Sequence, residues 1–295
     1  MAETPDTPGP VALVGGGEWQ PGCSFDAELL AASGADEVVV LPTAAAYEHP
    51  ERTVALAGEW FAPLGGRVEG LMVLSRGDAQ DRGVAAVLRN ARFIYLNGGS
   101  PMHLRSVLKG SLVWEALLAA WADGAVVAAS SGAAMVLTDP MVDARGGGLT
   151  LGLGLVRDLA VVPHFGDTHE DAHGEKLHRS VLLAPKGTPV AGVPERTALI
   201  REPDGRWRTA GEGTVAVFLD GAPAEAGLGA LPTSGRARGH PPAGVRSAGR
   251  PVNQSDSVMV TDSMVTRSEG VPDRLPTDSM AATTSSPFTT LPNSE

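Results

Sequence analysis

The run Gly124-Ala-Val-Val-Ala-Ala-Ser130-Ser131-Gly132-Ala-Ala-Met135 passes from an apolar strand straight into a helix, with nothing larger than serine at the crossing. A serine at such a corner can be held in a strained backbone conformation with its hydroxyl projecting from the sheet, provided its neighbours are small. The following helix N-terminus then offers N–H groups to a developing oxyanion. The same composition also suits a plain packing corner of Ala, Ser and Gly, and both readings stand on this run alone. Upstream, Tyr95-Leu96-Asn97-Gly98-Gly99-Ser100-Pro101 is either an anion-binding turn or a simple loop: two glycines permit a sharp turn with exposed N–H groups, and Pro101 can open a helix.

Two further runs suggest other chemistry. Gly15-Gly16-Gly17 follows the first strand, but Gln20 stands where a dinucleotide fingerprint needs its last glycine, so a tight turn is expected there and no cofactor. His169-Glu170-Asp171-Ala172-His173 spells H-E-x-x-H, which places two imidazoles on one helical face as zinc ligands. The metzincin extension would need Gly and His where Lys176 and Arg179 stand, so a solvated polar helix is expected and no metal. Cys23, the single cysteine, lies far from the elbow, which excludes a cysteine amidotransferase.

The elements that must position these residues are legible from periodicity. Val11–Val14, Glu37–Leu41, Gly70–Leu74, Arg92–Leu96 and Ala125–Ala128 read as buried strands. Between them Phe25–Ala32, Glu51–Ala62, Asp81–Arg89 and Val113–Trp121 carry apolar residues at three- and four-residue spacing. Alternation of this kind predicts an α/β fold with a three-layer, doubly wound, mostly parallel sheet, whose ligands bind beyond the carboxyl ends of the strands. Leu159–Val162, Val190–Val193, Thr197–Ile200 and Val215–Leu219 are expected to be further, partly antiparallel strands closing one side of that sheet.

Gly98-Gly99, the elbow, Pro163-His164-Phe165 and Gly192-Val-Pro-Glu195-Arg-Thr-Ala-Leu199 occur in that order, and as a set they resemble peptidase family S51, the cyanophycinase and peptidase E group. The resemblance covers about residues 10–220. It implies a class I glutamine amidotransferase-like, flavodoxin-like fold and serine-type hydrolysis of a small peptide or aspartyl-peptide amide. The family strand Gly-x-Val-Ile-Ala-Gly-Thr-Ser-Ala-Gly-Ala, laid from Gly124, puts the nucleophile on Ser131. Here Gly132-Ala133 transposes the family's Ala-Gly, which keeps Ser130 as the alternative. The resemblance further implies His164 as base and Glu195 as the acid behind it, with Asp139 in reserve as the peptidase E-like acid. Gly98, Gly99 and Gly132 are the implied oxyanion and substrate-binding positions. The transposed elbow also leaves room for a non-catalytic binding or regulatory protein on the same fold.

Composition bounds the rest. Over 295 residues, 34 Asp plus Glu outweigh 23 Lys plus Arg, a net charge of −11 that argues against nucleic acid or anionic lipid as partner. Residues 231–295 hold six Arg and six acids, so the whole excess falls on residues 1–230. The expected organisation is a flexible segment over 1–9, a hydrolytic domain over 10–230 and a disordered, Pro/Ser/Thr/Gly-rich tail over 231–295. The start has no basic or apolar leader, and the longest uncharged apolar run, Gly124–Thr138, is 15 residues. A cytoplasmic enzyme is expected, without cofactor, metal or membrane, with a small peptide as substrate and a homodimer left open.

Overall fold

The structure, a computed structural model, describes residues 7–143, 145, 147–166 and 178–233. The H-E-x-x-H run and nearly all of the expected tail lie outside the described residues. Five parallel strands carry the fold: β1 (Val11–Val14), β2 (Glu37–Leu41), β3 (Arg67–Gly70), β4 (Phe93–Leu96) and β5 (Val126–Ser130). They lie side by side as β1-β5-β4-β2-β3, and two antiparallel strands, Thr197–Arg201 and then Trp207–Gly211, extend the sheet beyond β1 to seven strands. The sheet is therefore mostly parallel, as expected.

Each apolar strand is covered on both faces, which is why its sequence is continuously hydrophobic rather than alternating. Ala12, Val14, Val38, Val40, Phe93 and Tyr95 face α1 (Phe25–Ser33) and α2 (Pro50–Phe61). Val11, Leu13, Val39, Leu41, Ile94 and Leu96 face the other layer, α3 (Arg82–Asn90), α4 (Pro101–Leu108), α5 (Leu112–Ala122) and α6 (Gly132–Leu137). Three helices start on polar caps: Asp81 accepts from the Gly83 and Val84 N–H groups, Ser100 from His103 N–H and Ser111 from Trp114 N–H.

Three details depart from the sequence reading. The third strand is Arg67–Gly70, not Gly70–Leu74. It is an edge strand whose polar Arg67-Val-Glu-Gly pairs with β2, while the buried Leu71 and Val73 follow it as loop. Of the four later strands expected to close the main sheet, Thr197–Arg201 does so. Ala160–Pro163, Val190–Val193 and Ala216–Leu219 instead form a second small sheet with Ala222–Pro223. Trp207–Gly211, half-exposed and without an apolar run, carried no strand signal.

Packing also reaches past both expected domain boundaries. Gly9 N–H donates to Trp121 O, and Trp121 Nε1–H returns a bond to Gly9 O at 2.8 Å. At the other end Leu231 is 4% exposed within the core. Trp207 Nε1–H and the Arg201 guanidinium bond the carbonyls of Pro232 and Thr233.

Candidate active site

Everything that meets at the site lies beyond the carboxyl ends of β1, β4 and β5, where open α/β sheets bind ligands. Ser131 is the single residue between β5 and α6, with φ 51° and ψ −121°, a conformation costly for a side-chain-bearing residue. Its N–H donates to Val14 O at 2.9 Å, which pins the elbow to the end of β1. Gly132 is required by close approach: a Cβ there would stand 2.4 Å from the carbonyl oxygen of Gly99. The transposed glycine of the elbow thus lets the Gly98-Gly99 turn pass directly over the start of α6.

His164 stands at the end of the strand Ala160–Pro163, also with positive φ, 55°, and its N–H donates to Gly15 O at 2.8 Å. Its Nε2 lies 2.7 Å from Ser131 Oγ and its Nδ1 lies 2.8 Å from Glu195 Oε1. A carboxylate only accepts, so the hydrogen between His164 and Glu195 sits on Nδ1, leaving Nε2 to accept from the serine hydroxyl. Glu195 lies in the turn between Val190–Val193 and Thr197–Arg201. Its carbonyl accepts from Thr197 Oγ1–H at 3.0 Å, and the next residue, Arg196, has φ 51° and pairs with Glu212 at 3.1 Å. The imidazole is 29% and the carboxylate 41% exposed, so the chain of three groups opens to solvent from the acid end.

The glycines after β1 are the bed of this arrangement. A Cβ on Gly16, whose φ is 123°, would fall 2.3 Å from His164 Cε1, and one on Gly17 would fall 3.4 Å from Glu195 Oε2. Arg196 N–H donates to Gly16 O at 2.8 Å. The tight turn expected at Gly15-Gly16-Gly17 is present. Gly15 lies against the carbonyls of Val193 and Pro194, Gly16 against the His164 ring and Gly17 against Arg196 and Glu195.

The other candidate residues have different surroundings. Ser130 is fully buried and its Oγ–H donates to Glu18 Oε2 at 2.7 Å, away from His164. Asp139 accepts from Gly152 N–H at 3.2 Å, whereas Nδ1 of His164 is paired with Glu195. Gly98 lies against Ser131, since a Cβ on it would be 3.1 Å from Ser131 Cβ, yet its N–H is engaged by Glu18 Oε1 at 2.8 Å. The Gly98 carbonyl accepts from Asn97 Nδ2 at 2.7 Å, so the Gly99 N–H in the same trans peptide plane points the opposite way. Gly132 N–H opens α6 and has no intrahelical acceptor. Glu18 was missed in the sequence; the signal was its place directly after the glycine turn at a strand end.

Beneath this layer lies a buried polar group of unusual cost. Asp26, fully buried in the first turn of α1, accepts from Trp60 Nε1–H at 2.9 Å through Oδ2, while Oδ1 has no partner. Burial, reinforced by the Glu18 charge, pushes its carboxyl up to about 8. Burial likewise pushes the Cys23 thiol up to about 11, so that sulfur is a packed group rather than a nucleophile.

A hydroxyl, an imidazole and a carboxylate joined by hydrogen bonds at a strand-to-helix elbow are an arrangement in which the imidazole can take the hydroxyl's proton while the carboxylate holds the ring. Residues 12–206 match peptidase family S51, and the chain belongs to that family. It is 28% identical over 198 residues to cyanophycinases from Synechococcus elongatus and Thermosynechococcus vestitus, a match covering 63% of this chain and 60% of each relative's length. Among solved structures it resembles a peptidase from an acI-B1 Actinobacterium, with TM-score 0.65, 27% identity, and coverage of 73% of this chain and 93% of that one. A putative peptidase E protein from Listeria monocytogenes shares the fold, with TM-score 0.50, 17% identity, and coverage of 72% of this chain and 98% of that one.

Proposed function

We propose that this chain is a serine-type peptidase that cleaves the amide bond of a small peptide, with Ser131 as nucleophile, His164 as general base and then acid, and Glu195 as orienter. The observation that carries the reading is the unbroken relay from Ser131 Oγ through His164 to Glu195, at 2.7 and 2.8 Å. Ser131 Oγ attacks the substrate carbonyl as its proton passes to Nε2, and Glu195 stabilises the imidazolium that results. The N–H groups of Gly99 and Gly132 receive the oxyanion. The imidazolium then protonates the leaving amine, giving an acyl-enzyme. Water deprotonated by the same Nε2 hydrolyses that ester and restores the serine.

The resemblance to the cyanophycinase and peptidase E group directs the substrate proposal to aspartyl-peptide amides. The test has two parts. A fluorophosphonate probe should label the intact protein and leave the Ser131→Ala variant unlabelled, and aspartyl dipeptides should be split into their two halves by mass spectrometry. Ser131→Ala should lower turnover by on the order of 10⁴-fold, while Ser130→Ala leaves a measurable remainder. Labelling that persists in Ser131→Ala, or moves with Ser130, would overturn the assignment.

A further inference from the structure

Glu18 is a half-buried carboxylate at the site that the relay does not use. Oε1 accepts from Gly98 N–H at 2.8 Å and Oε2 accepts from Ser130 Oγ–H at 2.7 Å. It thereby ties the turn after β4 to the last residue of β5 while itself standing on the turn after β1. Both tied residues border the nucleophile: Ser130 precedes Ser131, and a Cβ on Gly98 would lie 3.6 Å from Ser131 Oγ. The reach of Glu18 is fixed on either side, by Gly17 at φ 61° and by Trp19 at φ 58°. The Trp19 ring packs 5.2 Å from Tyr95 of β4. Strain and ring packing are thus spent on holding one side chain in a bridging pose.

Resting on the peptidase reading above, we propose that Glu18 is a positioning residue: a two-point clamp that sets the Gly98-Gly99 turn against Ser131 and so places the oxyanion donor. Residue 98 is gripped at both ends, its N–H by Glu18 and its carbonyl by Asn97 Nδ2. With both ends fixed, the direction of the Gly99 N–H follows from peptide planarity. Without the Glu18 arm the turn keeps its contacts to Ala44, whose carbonyl accepts from Ser100 N–H at 2.8 Å, but loses its tie to the elbow. The clamp depends on span and on two hydrogen-bonding positions, not on charge for its own sake.

Span and charge are separable. In Glu18→Gln the amide oxygen accepts from Gly98 N–H, and the amide nitrogen donates to Ser130 Oγ, so the bridge survives without its charge. In Glu18→Asp the charge survives one methylene short of the bridge. The readout is fluorophosphonate labelling, resolved into a maximal rate and a half-saturating probe concentration, with thermal melting alongside. Loss of the clamp should resemble loss of an oxyanion donor, so Glu18→Ala and Glu18→Asp should label about 10²-fold more slowly at saturation, with half-saturation changed by less than about threefold. Glu18→Gln should remain within about fivefold of the parent rate, since its two contacts are kept. Should Glu18→Ala fail to melt cooperatively, the Gln and Asp variants decide the matter between them. A fast Asp variant beside a slow Gln variant would overturn the clamp in favour of a charge effect. Parent-like labelling in all three, with Ser131→Ala unlabelled, would overturn it while leaving the peptidase reading intact. Labelling that persists in Ser131→Ala would refute the peptidase reading itself.

Discussion

At the scale of single residues, two carboxyls invite decisive substitutions. Glu195 contacts His164 Nδ1 and Asp139 contacts a loop N–H, so Glu195→Gln should cut kcat by on the order of 10²-fold or more while Asp139→Asn is nearly silent in kcat. A steady-state comparison of the two variants with the parent decides it, and the reverse order would make Asp139 the orienter. Asp26 offers a stability test instead. Its folded-state pKa of about 8 stands above the ordinary 3.8, so the native state keeps a proton that the unfolded chain gives up. Stability therefore falls as pH rises from about 4 towards 8 and levels off above that, with a slope of at most about 1.4 kcal/mol per pH unit. Asp26→Asn keeps an acceptor for Trp60 and cannot ionise, so its denaturation midpoint should lose this contribution and exceed the parent's at pH 8. Equal slopes for the two proteins between pH 5 and 8 would contradict the assignment.

At the scale of elements, the site is a meeting of strand ends, and each turn contributes through its backbone. The turn after β1 lies against the His164 imidazole, the turn after β4 passes the elbow, and the elbow itself is sewn to β1 through Ser131 N–H and Val14 O. Non-glycine residues with positive φ recur here, at Trp19, Ser131, His164 and Arg196. Such strain persists only where surrounding packing enforces it. The clearest element-level prediction is Gly16→Ala. The new methyl would meet His164 Cε1 at 2.3 Å and sit at a φ of 123° that alanine resists, so the ring must leave its bed. Fluorophosphonate labelling should fall at least about 10²-fold through misplacement of the His164 ring. Melting should drop by the equivalent of about 1–2 kcal/mol for the strained φ. A variant that melts lower but labels at the parent rate would show that the ring does not depend on this bed.

At the scale of the whole molecule, packing among the described residues continues past residue 230. Leu231 lies in the core and the carbonyls of Pro232 and Thr233 are held by Trp207 and Arg201, so stabilising contacts continue at least as far as Thr233. A chain ending at residue 233 should melt and label like the full-length protein. One ending at residue 230 forfeits a buried leucine side chain, a loss on the order of 2–3 kcal/mol, and should melt several degrees lower. Identical melting of the two truncations would show that Leu231 contributes nothing. Among the described residues no helix is long and apolar enough to cross a membrane.

What the sequence determined by itself is local. The short continuous apolar runs of β1, β2, β4 and β5 and the 3.6-residue apolar spacing of the intervening helices are signals that act over a few positions and survive without knowledge of the fold. The small-residue elbow at Ser130-Ser131-Gly132 was legible for the same reason, because a tight strand-to-helix crossing imposes its own composition. His164 and Glu195 were reachable through family resemblance, since nothing in their immediate neighbours marks them. Tertiary structure alone decided which serine meets the imidazole, which acid stands behind it and why three glycines follow β1. Those answers are distances between residues far apart in the chain: Ser130 and Glu18 are separated by 112 positions and Ser131 and His164 by 33. They are set by strand order, which seats β5 beside β1, and by the turn at residues 194–196 that sends Val190–Val193 and Thr197–Arg201 into different sheets. Strand order is chosen by the fit of whole layers against one another, and no window of local sequence contains that information.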